Sequence, residues 1–163
     1  MKKLTRFSLL AAAIATFSTI STSALAATAT GTANATVLTP IAIAAGTALN
    51  FGTLAGNASG GTVVVSAAGA RSTTGTVVVT GAAFSAGSFT VTGTGSSTFA
   101  VTYPASFNVT SSANTMAVAV TGAATGTLSG GTVSLPVGGT LTVGANQAAG
   151  SYTGTYTMTV EYN

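Results

Sequence analysis

The sequence GSYTGTYTMTVEYN, residues 150–163, decides the fold that we predict for this chain. Its second half alternates apolar and polar side chains, and the apolar set is Tyr156, Met158, Val160 and Tyr162. Successive side chains of a strand point to opposite faces, so these four would cover one face. Chain termini fray unless something holds them. The pattern therefore predicts a C-terminal strand that is docked into a sheet.

A comparison of free energies indicates that this strand needs neighbours. Burying the four apolar side chains contributes about 6–12 kcal/mol. Fixing the backbone of residues 156–162 costs about 7–14 kcal/mol. Because the two nearly cancel, we expect other strands to pair with it on both edges. The sequence leaves open whether one of those strands comes from another molecule.

The first 26 residues have the pattern of a cleaved secretory signal peptide. Lys2, Lys3 and Arg6 precede an apolar stretch over residues 7–21, and Ala24-Leu25-Ala26 is a small-x-small cleavage site. A short membrane anchor is the alternative, but the apolar run is short and broken by Ser and Thr. We therefore predict export through the inner membrane and a mature chain of residues 27–163.

The mature chain would be almost free of charge. It keeps one cation, Arg71, and one anion, Glu161, so the pI of 9.7 describes the precursor. Nucleic-acid binding needs a basic face, which this chain lacks. Few charges are also unusual on a soluble monomer, and this favours association. Arg71 and Glu161 either pair across a subunit boundary or are solvated surface groups, and we favour the second interpretation.

The residue inventory excludes most catalytic and metal chemistry. The chain has no His, no Asp and no Cys, so it cannot form a Ser–His–Asp set, a carboxylate pair or a zinc site. Gly126 to Gly131 is glycine-rich but lacks the Lys of a phosphate-binding loop. We expect a protein that is not an enzyme and that has no cofactor and no metal.

Short strands separated by Gly, Pro, Asn and Ser follow from residue 38 onward. Residues 27–37 alternate small and hydroxylated side chains and predict an N-terminal arm or first strand. Residues 62–66 and 76–80 share the sequence TVVV and predict two adjacent buried strands. Residues 67–74 between them are predicted to form a loop, and residues 122–130 a flexible connection.

The remaining pattern completes an all-β domain over residues 38–163. Short strands are predicted at Val133 and Leu135, closed by Pro136, and again at Leu141 and Val143. About ten strands at this spacing, without a sustained helical period, are typical of an antiparallel sandwich or barrel. Three tyrosines of the tail have the parity of its apolar face and are predicted to pack in the core rather than form a ligand platform: Tyr152, Tyr156 and Tyr162.

The C-terminal stretch also resembles known families. Gly150 stands fourteenth from the end and Tyr162 is penultimate, which is similar to the terminal motif of chaperone–usher pilins. Residues 138–163, with Leu49-Asn50-Phe51-Gly52 and Arg71-Ser72 upstream, resemble a family of secreted bacterial β-domains, domain of unknown function 4402. That family is similar to pilin and spore-coat-U-like domains.

The resemblance to pilins implies an immunoglobulin-like sandwich that lacks one strand. A periplasmic chaperone, and later another subunit, would supply that strand by pairing at a sheet edge. Carried over here, Gly150, Tyr156, Met158, Val160 and Tyr162 would belong to the assembly strand that borders the gap. The candidate donor arm would present Ala29, Ala33, Ala35 and Val37.

We therefore expect a structural subunit of an extracellular, pilus-like fibre or a surface coat. Its partners would be other copies or pilus subunits, with a periplasmic chaperone and an outer-membrane usher during transit to the cell surface. The alternative is a self-contained secreted adhesin or binding module.

Overall fold

The computed structural model describes residues 26–163, and in them it contains strands but no helix. The strands are β1 (Ala42–Ala45), β2 (Thr53–Ala55), β3 (Gly61–Val65), β4 (Arg71–Gly75), β5 (Val78–Thr80), β6 (Gly87–Thr92), β7 (Thr98–Thr102), β8 (Ser106–Ser111), β9 (Asn114–Gly122), β10 (Thr125–Thr127), β11 (Thr132–Val143) and β12 (Thr159–Tyr162). Every pairing between them is antiparallel. The prediction of an all-β, antiparallel protein is confirmed.

Residues 36–163 form one compact unit. Residues 26–35 contain no strand, and each of them is exposed. Of the predicted signal peptide, residues 1–26, all but Ala26 lie outside the described part of the chain. Within residues 26–163, no helix has the length and hydropathy needed to cross a membrane.

The largest sheet is organised around β11. Its main path runs β1-β6-β11-β3-β4, and β9 joins β11 and carries β8 on its other side. The register shows that β6 pairs with residues 132–137 of β11, β9 with 137–141 and β3 with 139–143. Since β3 and β9 share part of the same stretch, they lie on opposite edges. On one edge of β11, the partner therefore changes from β6 to β3 after Val137.

Two smaller sheets complete the unit. In one, β7 lies between β10 and β12, and in the other β2 pairs with β5. The C-terminal β12 aligns Thr159–Tyr162 with Thr102–Phe99 of β7. Thr157, Thr159 and Glu161 are exposed, whereas the apolar side chains between them are buried or half-buried. The predicted alternation of the tail is therefore confirmed.

Apolar side chains from these sheets form two buried clusters. The first contains Val91, Phe99, Val101, Val120, Leu128, Leu135, Val137 and Met158. The second contains Val63, Val77, Met116, Val118, Leu141 and Val143. Met116, Val118 and Val120 alternate along β9 with exposed residues, as their spacing predicts. One strand thus contributes to both clusters and connects them.

The predicted loop over residues 67–74 is wrong in its second half, where β4 lies. This strand consists of Arg71-Ser-Thr-Thr-Gly, and most of it is exposed because it is the last strand of its sheet. An edge strand with polar side chains gives no apolar alternation to detect. The two TVVV segments are also not adjacent, since β3 pairs with β4 and β11, whereas β5 pairs with β2.

The predicted breaks around β10 and within β11 are also wrong. Residues 125–127 pair with β7, and Leu128 beside them is fully buried. β11 continues through Pro136, which has only β6 as a neighbour at that point. A residue without an N–H group is tolerated where one edge of a strand is unpaired. Gly138 and Gly139 follow at the change of partner, where added side chains would meet neighbouring backbone atoms.

Candidate functional site

A groove of about 1040 Å³ lies between residues 45–56 and residues 147–156. Its lining includes apolar side chains from both flanks and from β6, β8, β9 and β11: Leu49, Phe51, Leu54, Phe89, Phe107, Val109, Met116, Leu141, Tyr152 and Tyr156. Met116 and Leu141 are buried beneath it, and none of the described residues that line it is charged. The groove therefore has an apolar, uncharged interior.

The first flank of the groove, residues 147–156, contains an extended segment with few backbone partners. Among the described residues, the only backbone–backbone hydrogen bonds of residues 151–157 join Thr153 to Thr110 of β8, at 2.8 and 3.0 Å. Neighbouring residues of an extended chain direct their N–H and C=O groups to opposite edges. The groups of Tyr152 and Gly154 therefore point away from β8. Both residues line the groove.

The second flank, residues 45–56, shows the same arrangement. Asn50 exchanges two 2.9 Å backbone hydrogen bonds with Ser85, so its polar groups face away from the groove. Leu49, the preceding residue, points its N–H and C=O the other way. Within the described part of the chain, neither of these groups has a hydrogen-bond partner. The groove thus has unpaired backbone groups on both sides.

Glycine lets the first flank lie close to β8. A Cβ on Gly154 would press against the Asn108 carbonyl and the backbone of Val109. A Cβ on Gly150 would likewise collide with the Ser111 hydroxyl. Larger residues at these two positions would push the segment away from β8, and the shape of the groove would change.

Aromatic side chains form part of the groove floor. The Tyr156 ring stacks on Phe107, with centroids 5.0 Å apart, and meets the edge of Phe89 at 5.8 Å. Such pairs contribute about 0.5–1.5 kcal/mol beyond their buried area. Burial in this cluster raises the pKa of the Tyr156 hydroxyl, because the tyrosinate form would be poorly solvated there.

The raised pKa of Tyr156 predicts a loss of stability at alkaline pH. The unfolded chain ionises this hydroxyl near its ordinary pKa of about 10, while the folded chain still holds the proton. The stability that comes from burying the neutral hydroxyl is thus fully present below pH 10. It is lost as the pH rises through the pKa of Tyr156 in the folded chain. Urea unfolding of Tyr156→Phe and the parent chain between pH 8 and 11 should show a smaller alkaline decline for the variant. Equal declines would contradict this assignment.

The structure separates the predicted assembly-strand residues into two groups. Gly150 and Tyr156 line the groove. Met158 is buried in the first cluster, and Val160 and Tyr162 lie on β12 and pack half-buried against that cluster. The groove therefore borders the segment before β12 rather than β12 itself.

Tyr162 has a defined contact elsewhere. Its hydroxyl donates a 2.7 Å hydrogen bond to the Thr39 carbonyl and accepts one from the Thr94 N–H at 2.7 Å. The Thr39 N–H in turn donates to the Thr94 hydroxyl at 2.6 Å. The penultimate tyrosine thus fastens residue 39, the last residue before Pro40, to the domain.

The predicted donor residues lie in the part of the chain without secondary structure. Ala29, Ala33 and Ala35 are exposed and belong to no strand. Val37 is 94% exposed, the most exposed of the large apolar side chains in the described residues. Their role as a donor arm stays a prediction.

Sequence reasoning missed the second flank of the groove. Leu49-Asn50-Phe51-Gly52 entered the sequence analysis only through a family resemblance, and the part of residues 45–56 in a groove was not recognised. One signal was present, since Leu49, Phe51 and Leu54 are large apolar residues in a stretch of Ala, Gly and Thr. These side chains face the groove and are only partly buried.

The described residues form a small, all-β domain with an open apolar groove. The family model described as Domain of unknown function (DUF4402) matches residues 41–162. The chain therefore belongs to this family, and the match covers nearly all of the compact unit. Searches of curated proteins and of solved structures each found no match to this chain.

Proposed function

We propose that this chain is a non-catalytic structural subunit of an extracellular fibre or surface coat, assembled by strand complementation. The observation that carries the proposal is the groove, which has an apolar floor and unpaired backbone groups on both flanks. An extended peptide offers N–H and C=O groups to both of its edges. Inserted in the groove, it would pair with both flanks and cover the apolar floor.

The lining favours a peptide over a small charged molecule. The lining residues within 26–163 carry no charge, and their polar groups are mostly backbone amides, hydroxyls, Asn50 and Gln147. Small-molecule sites usually place a few polar side chains at defined points in a concave pocket. Here the unpaired groups belong to backbone on both flanks, Leu49 on one and Tyr152 and Gly154 on the other, and an inserted strand offers backbone groups to both.

The occupant that we propose is residues 27–37 of a second copy of this chain. That segment is uncharged, exposed and free of secondary structure, so it can adopt an extended conformation. Ala29, Ala33, Ala35 and Val37 share one face, which would lie on the groove floor. Val37 is the bulkiest of these residues and is 94% exposed, so its burial would contribute most to the free energy of binding.

The proposal includes a finer description of the fold and of the route to the surface. Residues 38–163 would form an immunoglobulin-like, pilin-like sandwich that lacks one strand. The signal peptide would direct export, and a periplasmic chaperone would cover the groove until an usher exchanges it for the next subunit. The near absence of charge supports the association of subunits, since an uncharged β-surface tends to associate.

Substitutions on the two faces of the arm test the proposal. Ala33→Asp with Ala35→Asp places two carboxylates against the apolar floor, and burying an unpaired charge is strongly unfavourable. Thr32→Asp with Thr36→Asp adds the same charge to the opposite face and is the matched control. We expect only the first variant to lose fibre or coat assembly. Electron microscopy of cells that export the chain measures that assembly.

Deletion of residues 27–37 should abolish assembly as well. If the deletion and both Asp variants assemble like the parent chain, strand complementation by this arm is wrong. A chain that stays monomeric and protease-resistant in every form would instead support the alternative, a self-contained secreted adhesin or binding module.

A further inference from the structure

Arg71 is the cation that sequence reasoning placed among solvated surface groups, and the structure gives it specific partners. It is half-buried at the start of β4. Its Nη1 donates to the Phe51 carbonyl at 3.2 Å, and its Nη2 donates to the Gly81 carbonyl at 2.7 Å. The guanidinium also lies over the Phe84 ring, 4.3 Å from the centroid. The interpretation as a solvated group is therefore wrong.

These contacts join three separate parts of the domain. β4 is the edge strand of the largest sheet, whereas β2 and β5 form a sheet of their own. Phe51 lies just before β2, and Gly81 lies just after β5. Since Thr53 and Thr80 are partners in that pair, Arg71 spans the same end of both strands.

Phe51 connects these contacts to the groove. Phe51 and Gly52 line the groove, as do the three residues of β2. Gly52 has a φ of +81°, and a Cβ there would lie 2.5 Å from Nη1 of Arg71. The turn at residues 51–52 is thus shaped around the guanidinium, and glycine accepts the required backbone conformation.

We infer that Arg71 is a positioning residue that locks the β2 side of the groove in the shape that accepts a strand. The inference rests on the proposed function, because it assigns Arg71 a role in strand binding. Arginine is suited to this position because its planar fork reaches two carbonyl groups at once and stacks on a ring. Lysine carries the same charge but has one flexible ammonium, so it cannot reproduce this arrangement.

Arg71→Lys and Arg71→Met test the inference, with Thr73→Val on the exposed part of β4 as the control. Hydrogen exchange of the mature variants should accelerate at least tenfold in residues 50–56 and 78–84, while exchange in β9 and β11 stays unchanged. A synthetic peptide of residues 27–37 should bind both Arg71 variants at least tenfold more weakly than the parent chain. Thr73→Val should match the parent chain in both measurements.

The two measurements distinguish failure of this inference from failure of the proposed function. Unchanged exchange in residues 50–56 and 78–84 overturns the positioning role of Arg71, whatever the peptide does. Unchanged peptide affinity in variants with faster exchange also overturns it, because the lock would then be irrelevant to binding. If the parent chain binds no peptide, the proposed function fails, and the role of Arg71 in strand binding fails with it.

Discussion

Replacing Phe99 with alanine is expected to lower the free energy of unfolding by about 3–5 kcal/mol. Phe99 is completely buried in β7, the central strand of the sheet that holds the C-terminus. Its ring lies over Gly126 on β10, where a Cβ would collide with it. The surrounding backbone cannot collapse fully into the space that the ring vacates, so the variant loses both transfer free energy and packing contacts.

Urea unfolding of the mature chain measures this effect, and Val78→Ala supplies the control. Val78 is also an apolar strand residue, but it is 57% exposed, so its truncation should change the free energy by less than about 0.5 kcal/mol. The total free energy of unfolding of a domain of this size is about 5–15 kcal/mol. Equal effects of the two substitutions would mean that Phe99 is not a central core residue.

The second large effect is expected when a peptide of residues 27–37 is added to the mature chain. A ligand that binds only the folded state stabilises it by about 2.7 kcal/mol at 100 times its dissociation constant. That corresponds to a rise in the melting temperature of roughly 5–20 °C. The physical cause is the pairing of unpaired backbone groups on both flanks and the covering of the apolar floor.

Calorimetry at chain concentrations where the protein is monomeric measures this rise. The control is the same peptide with aspartate in place of Ala33 and Ala35, which should leave the melting temperature unchanged because its charges cannot be buried. A parent peptide that produces no rise at millimolar concentration would contradict binding at the groove. An equal rise with the control peptide would show that binding does not depend on the apolar face.

Local alternation predicted those elements whose two faces differ in environment. β9 has a buried and an exposed face, and its Met116, Val118 and Val120 are spaced accordingly. The tail from Tyr156 to Tyr162 follows the same rule. β4 and β10 escaped prediction because their residues are mostly Thr, Ser and Gly. β4 forms through pairing with β3, to which residues 66–70 connect it, and β10 forms through pairing with β7, which lies well before it in the chain.

The candidate site was predicted only in part for a related reason. The tail was predicted to be a strand paired on both edges, but among the described strands β12 pairs with β7 alone. Its paired section begins at Thr159, and the groove borders the residues before it. The opposite flank depends on where Asn50 meets Ser85, and no local pattern records that contact. Arg71 was misjudged because its carbonyl partners, Phe51 and Gly81, lie in the connections beside β2 and β5, and no local pattern records that they approach its side chain.

The position of β11 in the chain also determines when the domain can fold. β3, β6 and β9 all precede β11, yet each pairs with it. Ribosomes add about 5–20 residues per second, so the early strands wait several seconds for their shared neighbour. Topologies dominated by distant pairings also fold slowly once synthesis is complete. The incomplete chain therefore exposes unpaired, aggregation-prone strand edges for a long time. A chaperone that covers these edges would raise the yield of correctly folded protein.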